Sequence, residues 1–476
     1  MYCDKLALSM YDILKNKMNR CGYSLTSIDL FSGPGGLATG FKWAGILPLI
    51  AVEWTNSTAK TYSHNHFTDV LELSLLFNDG SIDNAYLDSF CCPSDKSILI
   101  HGDVNLVSDI VILKLLRERF GIDTNTETID IVSGGAPCES FSLAGQRKNG
   151  DQRDDLFSNI TRIARATKAK GILFENVKGM FSKKDTNGVK AGIFNYICNC
   201  FDDENQEVSY KLVSRDPNKV LLKACDYGVP QVRERLFLVS IRRDLAEKTK
   251  FKYPIPTFGP GKEHQYISVS EAIDDLPIVQ SGEEANQYVF PKFFKNEQHE
   301  KFINLMRGIS IDNMLSNTPS YLENTFNKFS TISQHRGPGH LTRKKELLSL
   351  IPEKSSMRET YDLLVSNGEI DKYRHLFPNT IYGSRNRRLS SDLPSYTITS
   401  HCLDEMIHPT LNRAITPREA ARLQSFPDWY EFSGPYVEFH GSKEEDKYEQ
   451  IGDAIPPLLA YAIAKEFVNC LINNKI

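Results

Sequence analysis

The stretch LTSIDLFSGPGGL (25–37) decides the fold of this chain. Its first half is apolar at most positions, as in a buried strand, and the glycines at positions 33, 35 and 36 permit a tight turn before a helical pattern begins at Leu37. A strand, a glycine-rich turn and a helix in this order are typical of the first unit of a nucleotide-binding α/β domain. The G-x-G-G spacing differs from the G-x-G-x-x-G of pyrophosphate binding, and a turn of this kind also occurs without any ligand.

Outward from this unit, short apolar runs alternate with amphipathic stretches as far as about residue 175. The later runs are LPLIAV (47–52), SILI (97–100), TIDIVS (128–133) and GILFEN (171–176). This alternation predicts an α/β fold with a mostly parallel sheet covered by helices on both faces. Three further runs follow one another without a helix, so we expect the sheet to be mixed and to end in an antiparallel edge: YKLVS (210–214), KVLLKA (219–224) and RLFLVSI (235–241).

The alternation stops near residue 245, which divides the chain into three parts. We predict a first domain over residues 1–245 with an N-terminal extension at 1–24, a smaller irregular α+β domain over 246–440, and a C-terminal segment over 441–476 that returns to the first domain. Proline suits the first turn of a helix, so the last helix should begin at Pro456-Pro457. The charged stretch 441–449 is typical of a surface loop.

Composition and charge are those of an ordinary globular protein. The 476 residues include 56 Lys and Arg against 60 Asp and Glu, a net charge of −4 that by itself counts against a nucleic-acid binder. Continuous apolar stretches fall short of the roughly 18 residues that span a bilayer, and the N-terminus does not resemble a secretory signal. We therefore expect a cytoplasmic protein without a membrane partner. The ten cysteines have no C-x2-C spacing, so neither a metal site nor a disulfide framework is predicted.

Polar side chains at the ends of successive strands indicate a nucleoside pocket. Glu53 ends the second strand about 20 residues after the glycine turn, where a carboxylate can bind ribose hydroxyls. Asp103 ends the third strand and can accept a hydrogen bond from an exocyclic amine. Trp54 could stack on a base, although an aromatic residue after a buried strand more often belongs to the core.

A second group of residues indicates a reactive end of the sheet. Cys138 follows SGGAP (133–137) at the end of the fourth strand, where α/β sheets place their active sites. The thiol is either a nucleophile or a buried structural cysteine. Glu175 lies at the end of the fifth strand, and Arg233 and Arg235 share one face of the edge strand. A thiol, a carboxylate and guanidinium groups at one edge suit nucleophilic attack on an electron-poor ring.

These motifs resemble those of the cytosine-C5 DNA methyltransferases, in that family's order, from about residue 25 to the C-terminus. The motifs that carry the resemblance are DLFSGPGG (29–36), the acid and Trp at 53–54, GD (102–103), GGAPCESFS (134–142), ENV (175–177), DYGVPQVRER (226–235), TPREAARLQSFPD (416–428) and IGDAIPP (451–457). The resemblance implies a Rossmann-like S-adenosylmethionine-dependent methyltransferase fold. It also implies that residues 246–440 form a target-recognition domain.

The resemblance assigns a cofactor and a mechanism to the candidate residues. The cofactor would be S-adenosylmethionine, leaving as S-adenosylhomocysteine, with no metal. Cys138 would attack C6 of a flipped-out cytosine, Glu175 would hold or protonate N3, Arg235 would bind O2, and Arg233 would position the base or Cys138. The implied cofactor-binding residues are Phe31, Gly33, Gly35, Gly36, Leu37, Glu53, Trp54, Asp103, Pro137 and Asp453.

Three residues depart from the family's pattern. Ala136 stands where Pro is usual, Glu139 where Gln is usual, and Asp453 where Asn is usual. Glu139 places another carboxylate beside the thiol, and Asp453 adds a charge near the cofactor. Since none of these changes removes a catalytic group, we expect an active enzyme.

Two acid-free basic stretches in the second domain offset the acidity of the whole chain. Residues 324–345 and 372–391 together contain ten Lys and Arg and no carboxylate, so they either line a DNA cleft or form a solvated cationic face. The loop after Cys138 is expected to close over DNA, although an exposed basic turn would look the same. The candidate DNA-binding residues are Ser142, Arg147, Arg153, Arg336, Arg343, Lys344, Arg385, Arg387 and Arg388.

The sequence thus predicts methyl transfer to C5 of a cytosine in a specific double-stranded DNA sequence through a covalent Cys138 adduct. We expect a monomer that acts as the modification enzyme of a bacterial restriction-modification system, and the sequence leaves open whether a cognate restriction endonuclease is paired with it. Three alternatives stay open: a tRNA cytosine-C5 methyltransferase, an inactive DNA-binding regulator, and a nicotinamide dehydrogenase. The variable part of the target region, roughly 150 residues from about 245 to 400, favours DNA over tRNA, and the Pro-Cys loop disfavours the dehydrogenase.

Overall fold

A computed structural model describes residues 2–78, 81–136, 156–183, 191–287, 294–308, 331–437 and 444–472. The strands in these ranges are β1 (Leu25–Leu30), β2 (Ile46–Glu53), β3 (Asp69–Glu72), β4 (Phe77–Asn78), β5 (Ser81–Ile82), β6 (Ile98–His101), β7 (Ile131–Gly134), β8 (Gly171–Val177), β9 (Tyr210–Leu212), β10 (Leu221–Lys223), β11 (Glu234–Arg242), β12 (Glu284–Gln287), β13 (Thr331–Arg336), β14 (Arg387–Arg388) and β15 (Met406–Ile407).

The α-helices in the same ranges are short, apart from those at the two ends of the chain. They are α1 (Tyr2–Cys21), α2 (Gly36–Trp43), α3 (Asn56–His66), α4 (Leu73–Leu76), α5 (Asn84–Phe90), α6 (Asp109–Phe120), α7 (Ser158–Ala166), α8 (Gly192–Cys200), α9 (Pro217–Val220), α10 (Arg243–Ala246), α11 (Val269–Ile273), α12 (Glu297–Arg307), α13 (Thr342–Leu350), α14 (Met357–Ser366), α15 (Ile370–Tyr373), α16 (Cys402–Glu405), α17 (Pro417–Leu423), α18 (Lys447–Asp453) and α19 (Pro457–Ile472).

The central sheet has the order β3-β6-β2-β1-β7-β8-β11-β10, with β9 also paired to β11. Every pair from β3 to β8 is parallel, whereas β11 is antiparallel to β8, β9 and β10. The predicted mixed, mostly parallel sheet with an antiparallel edge is therefore confirmed. The edge strand β3 was not predicted, because it has four residues of which only one is fully buried.

The strand order determines which edge of the sheet carries the functional crevice. The chain leaves β1 for β2 on one side, and β7 later joins β1 on the other side, so the order reverses between β1 and β7. A crevice opens at such a reversal, outside the carboxyl ends of the strands. The glycine turn after β1, Glu53 of β2, His101 of β6 and Gly134 of β7 meet at this edge.

Two hydrophobic cores cover the two faces of the sheet. One face carries α6 and α7, and α1 packs against α6. On the other face, Phe41 of α2 belongs to the same core as Phe302 of α12 and Phe467 of α19. A smaller core that includes Leu348, Met357 and Phe377 lies within the irregular α+β region. The boundaries at 245 and 440 stay a prediction.

The C-terminal helix packs directly on the helix that follows the glycine turn. A Cβ atom on Gly36 would lie 2.1 Å from the Ile455 carbonyl oxygen, and one on Gly40 would lie 2.4 Å from the Pro457 carbonyl oxygen. Only glycine permits this approach of the two backbones. The last helix begins at Pro457, as predicted.

The prediction of a surface loop over residues 441–449 is wrong for its second half. Lys447 begins α18, is 7% exposed, and donates from Nζ to the Gly434 carbonyl oxygen at 2.7 Å. Charge alone suggested a loop, but this ammonium group is bonded to backbone carbonyls inside the fold.

One helical stretch in the described ranges, Lys447–Ile472, is long and apolar enough to cross a bilayer by length and composition. More than half of its most apolar window, 56%, is buried inside the protein. The core helices of soluble proteins have the same character.

Candidate active site

The glycine turn after β1 is braced by the carboxylate of Glu53. Its Oε2 accepts a hydrogen bond from the Gly33 amide at 2.9 Å, and its Oε1 accepts from the Trp54 and Thr55 amides at 2.9 and 2.8 Å. Burial raises the pKa of Glu53, and these amide donors counteract the rise. Since a carboxylate offers about four acceptor positions, one position is left for a further donor.

The other predicted pocket residues lie around this turn. Trp54 is 71% exposed, so the alternative that it belongs to the core is wrong. The Asp103 carboxylate accepts from the Asn105 amide at 2.9 Å at the end of β6. Phe31 has a left-handed backbone conformation with φ 54°, and Gly35 has φ 100°. Both the turn and the strand ends thus lie at the predicted edge.

The reactive end contains a close ion pair. Nε of Arg235 lies 3.0 Å from Oε1 of Glu175, and both side chains are largely buried. Burial raises the pKa of Glu175 above its usual value, although the Arg235 and Arg233 guanidinium groups oppose the rise. The carboxyl group therefore holds a proton more readily than an exposed glutamate would.

The loop that leads to Cys138 begins against this ion pair. A Cβ atom on Gly135 would lie 2.8 Å from Oε2 of Glu175, which explains the glycine at that position. Nδ2 of Asn176 donates to the Ala136 carbonyl oxygen at 3.1 Å. Pro137 and Cys138 themselves lie outside the described residues.

Arg233 connects the reactive end to the C-terminal segment. Its guanidinium group is fully buried and donates to the carbonyl oxygens of Ile398 at 2.6 Å, Gly452 at 2.8 Å and Ala454 at 3.1 Å. Two of these carbonyls flank Asp453. The arginine thus fixes the backbone that carries a predicted cofactor residue, and it contacts protein groups rather than open space.

Asp453 lies in an acidic environment. Desolvation by neighbouring protein atoms and the charge of Glu445 raise the pKa of Asp453 to about 6, although part of the residue is exposed to solvent. The charges of Arg233 and Arg235 oppose this rise. Glu445 in turn accepts a hydrogen bond from the Thr55 hydroxyl at 3.3 Å. The Glu445 carboxylate therefore raises the pKa of both Glu53 and Asp453 near the glycine turn.

A cavity of about 330 Å³ lies between the segment that precedes β11 and the predicted target domain. The Arg387 guanidinium group stacks on the Tyr396 ring at its wall, 3.6 Å from the ring centroid. The cavity is lined by Val232, Ser384, Arg387, Tyr396, Thr397, Thr399, Glu405 and Met406.

The remaining candidate DNA ligands differ in their surroundings. Arg336, Arg343 and Arg385 are exposed. Lys344 is half-buried, and its Nζ donates to Oδ1 of Asn386 at 2.6 Å. Ser142, Arg147 and Arg153 lie outside the described residues.

Arg388 faces the interior, contrary to the expectation that it binds DNA. It is 5% exposed, and its guanidinium group donates to Asn412 Oδ1 and to backbone carbonyl oxygens. The carbonyls belong to Leu348, Ile351, His408, Pro409 and Leu411. This residue therefore holds the smaller domain together and does not present its N–H groups to a phosphate or a base.

The TPREAARLQ motif also points inward. Arg418 and Arg422 are fully buried, and Glu419 forms an ion pair with Arg413 at 2.7 Å. The buried charges of this motif therefore organise the interior of the predicted target domain.

Among the described residues, one group of three side chains has the spacing of metal ligands: Asp88, Cys91 and Glu118. Nζ of Lys114 lies 2.5 Å from Oδ1 of Asp88 and 4.0 Å from Oε2 of Glu118, so an ammonium group already neutralises these acids. Burial raises the pKa of Cys91 to about 12, which keeps the thiol protonated. The expectation of a metal-free protein stays a prediction.

Comparison with known protein families agrees with this geometry. The family model described as C-5 cytosine-specific DNA methylase matches residues 25–90 and 105–469. The chain belongs to this family. It is a C5-cytosine DNA methylase whose Glu175, Arg233 and Arg235 lie at the carboxyl edge of its sheet.

Several type II methyltransferases are similar to this DNA methylase over most of their length. M.DdeI of Desulfomicrobium norvegicum is 29% identical over 92% of this chain and 87% of its own. M1.HphI of Haemophilus parahaemolyticus is 27% identical over 100% of this chain and 93% of its own. The crystal structure of a predicted DNA modification methyltransferase encoded within an E. coli prophage superposes with a TM-score of 0.61, at 25% identity over 94% of this chain and 99% of that one.

Two residues that sequence reasoning missed lie directly behind the glycine turn. His66, at the end of α3, contacts the Gly35 carbonyl oxygen, and Tyr430, after α17, donates to the Pro34 carbonyl oxygen. His66 lies in a segment to which the sequence assigned no role, and Tyr430 comes just after a recognised motif. No local sequence pattern marks either residue, because their contacts with the turn join positions 31 and 396 residues apart.

Proposed function

We propose that this methylase transfers the methyl group of S-adenosylmethionine to C5 of a cytosine flipped out of a specific duplex sequence, through a covalent bond between Cys138 and C6. The observation that carries the proposal is the buried Glu175–Arg235 pair, against which the loop leading to Cys138 begins. A Cys138 thiolate at this position would act on a cytosine ring that Glu175 and Arg235 also contact.

Each reactive side chain has one task in this mechanism. The Cys138 thiolate adds to C6 while Glu175, whose pKa is raised by burial, donates a proton to N3. Arg235 binds O2 as negative charge develops on the ring. After methyl transfer, a water molecule takes the C5 proton, the electron pair of that C–H bond restores the C5=C6 double bond, and the C6–S bond breaks so that Cys138 leaves as a thiolate. N3 returns its proton to Glu175. Arg233 contributes as a positioning residue, through the carbonyls that it binds.

The residues around the glycine turn fit S-adenosylmethionine, which supplies the methyl group. Nothing lies within 4 Å of a Cβ atom placed on Gly33, so the turn has an open side. The buried Ser32 hydroxyl has no hydrogen-bond partner within the described part of the chain. Glu53 would bind the ribose with its remaining acceptor position, Trp54 would cover the adenine, and Asp103 would accept from the adenine amine.

Leu37, Gly35 and Gly36 would shape the floor of this pocket, and Asp453 would face the charged end of the cofactor. Two residues assigned with them from the family resemblance, Phe31 and Pro137, would complete the pocket. The exposed Trp54 ring supports this placement, because a large aromatic side chain that is 71% exposed beside a turn is well suited to cover a ligand.

Duplex DNA would lie across the side of the molecule that carries the cavity and the exposed cations. Arg387 is the strongest candidate for base recognition, because stacking on Tyr396 holds its guanidinium plane in place and leaves the fork able to meet a guanine edge. Arg336, Arg343 and Arg385 would contact phosphates, as would Ser142, Arg147 and Arg153 of the loop after Cys138.

The type II names of the similar proteins favour a bacterial restriction-modification system as the setting. We propose that the enzyme acts in the cytoplasm as a monomer on host DNA, alongside a restriction endonuclease of the same specificity. Bisulfite sequencing of DNA from cells that express the enzyme would reveal both the methylated base and its sequence context.

A single substitution tests the covalent step. Cys138→Ala should abolish transfer of labelled methyl groups to duplex DNA, while binding of S-adenosylmethionine measured by calorimetry persists. Cys92→Ala, which removes an exposed thiol elsewhere, is the matched control and should retain transfer. Turnover by the Cys138→Ala variant near that of the wild type would refute the covalent mechanism.

A further inference from the structure

The turn that would hold the cofactor has two side chains fixed against its back. Oη of Tyr430 donates a short hydrogen bond to the Pro34 carbonyl oxygen, and Nε2 of His66 lies 3.2 Å from both the Gly35 carbonyl oxygen and Oη of Tyr430. A Cβ atom on Gly35 would lie 2.3 Å from Nε2 of His66 and 2.6 Å from Oη of Tyr430. Gly35 is therefore required by this contact as well as by its φ of 100°.

The hydrogen bonds define the protonation of His66. A carbonyl oxygen can only accept, and the Tyr430 proton is already donated to Pro34, so Nε2 of His66 must carry the proton. Burial and the nearby Lys42 ammonium group hold the pKa of His66 well below its usual value, so the ring is neutral. Both side chains thus present donors to the back of the turn.

Tyr430 is itself held in place from two directions. The side-chain amide of Asn65 pairs with the backbone of the next residue, Glu431, through bonds of 2.8 and 3.0 Å. Nη2 of Arg418 donates to the Tyr430 carbonyl oxygen at 2.9 Å, and Nε of the same arginine donates to the Ser333 carbonyl oxygen of β13 at 3.0 Å. A chain of hydrogen bonds therefore connects the glycine turn with the predicted target domain.

The two sides of the turn differ in what they contact. Glu53 holds the Gly33 amide at 2.9 Å, and the side at Gly33 is open, whereas the side at Gly35 is filled by His66 and Tyr430. We propose that Tyr430 and His66 are positioning residues that fix the Pro34–Gly35 peptide group so that the open side is preformed for S-adenosylmethionine. This inference rests on the proposed cofactor site.

The test compares two buried tyrosines, each of which donates to backbone carbonyls. Tyr430→Phe removes the bond to the turn, while Tyr210→Phe removes bonds of 2.9 and 2.8 Å to Ala164 and Ala169 at the far edge of the sheet. Both side chains are at most 2% exposed, so the two variants should lose similar stability in thermal unfolding. Only Tyr430→Phe should weaken the binding of S-adenosylmethionine, by roughly three- to tenfold in Kd measured by calorimetry.

The kinetic signature is a raised KM for S-adenosylmethionine with kcat retained at saturating cofactor, and an unchanged affinity for DNA. Equal cofactor affinity of wild type and Tyr430→Phe, or equal weakening in both tyrosine variants, would overturn the proposal.

If Tyr430→Phe does not fold, His66→Gln and His66→Leu replace it. A glutamine amide keeps a donor near the position of Nε2, so it should retain tighter cofactor binding than leucine, and equal Kd values would overturn the proposal. Failure of the wild type to bind the cofactor would refute the proposed cofactor site and this inference together.

Discussion

Arg387 and Arg388 are neighbours with opposite surroundings. Arg387 stacks on Tyr396 at the wall of a cavity, whereas Arg388 is buried among backbone carbonyls. Successive side chains of a strand point to opposite faces, and the two arginines form the short strand β14. Their charge is the same, but their position on the strand assigns one to the outside and the other to the core.

The pair gives a sharp contrast between stability and binding. Arg388→Ala should lower the free energy of unfolding by about 3 kcal/mol or more, because several buried carbonyls lose a charged donor. Arg387→Ala should change the free energy of unfolding by less than about 1 kcal/mol. It should weaken binding to an unmethylated duplex that contains the recognition sequence by roughly 5- to 100-fold. Urea unfolding and fluorescence anisotropy would measure the two effects. Equal behaviour of the two variants in both assays would contradict this assignment.

Asp29, next to the last residue of β1, should make the stability of the fold depend on pH. Burial raises its pKa from 3.8 to about 7, although a hydrogen bond from the Ser133 hydroxyl at 3.1 Å opposes the rise. A raised carboxyl pKa stabilises the fold below about pH 4, and that stability is lost as the pH rises to about 7. The full change is on the order of 4 kcal/mol.

Asp29→Asn removes this ionisation and retains the shape of the side chain. The variant should unfold at higher urea concentration than the wild type at pH 8, and the difference should shrink as the pH falls toward 5. A difference that stays constant between pH 5 and pH 8 would show that the folded-state pKa of Asp29 lies below 5 and is not raised to about 7.

At the scale of single elements, helix α17 is anchored by a buried charge network. The Arg422 guanidinium group forms ion pairs with Asp428 at 2.6 Å and with Asp275 at 2.9 Å, and Arg307 lies 2.8 Å from Asp275. These side chains are at most 3% exposed. The network joins α11, α12 and α17 into one unit.

Removing the central cation should be costly for the fold. Arg422→Ala leaves two buried carboxylates with less compensation and should lower the free energy of unfolding by about 3–5 kcal/mol. Arg358→Ala, which removes an exposed i,i+4 pair with Asp362 on α14, should cost at most about 1 kcal/mol. Denaturant unfolding of both variants measures the difference, and similar losses would argue against a dominant role for the buried network.

Strands were predictable from the sequence where burial is continuous. Every residue of β1 and β2 is buried, so their apolar runs stand out, whereas the half-exposed edge strand β3 leaves no such pattern. Among the site residues, Glu175 and Arg235 contact each other because they lie on the neighbouring strands β8 and β11. The contact of Tyr430 with Pro34 joins residues 396 positions apart, and no local pattern encodes it.

At the scale of the whole molecule, the interface between α2 and α19 depends on glycine at its centre. In most exposed helix positions, Gly→Ala stabilises by about 1 kcal/mol. At Gly40 the added methyl group would lie 2.4 Å from the Pro457 carbonyl oxygen and 2.5 Å from Cβ of Ala460. Because backbone atoms are in the way, the neighbouring helix would have to shift.

Gly40→Ala should therefore destabilise the protein by about 1–3 kcal/mol, the reverse of the usual sign. Gly383→Ala, where nothing lies within 4 Å of the added atom, is the control and should have an effect below about 1 kcal/mol. Thermal unfolding would compare the variants. A Tm for Gly40→Ala above that of the wild type would mean that the two helices separate easily.

The packing of α19 on α2 also has a consequence for protein synthesis. About 420 residues separate Gly36 from Pro457, and a ribosome adds roughly 5–20 residues per second. Helix α2 of the nascent chain therefore waits about 20–80 s for the segment that covers it. Until residues 457–472 have been translated, an apolar face stays open to solvent and to chaperones, so a chain that stops before them would lack a central part of its interior.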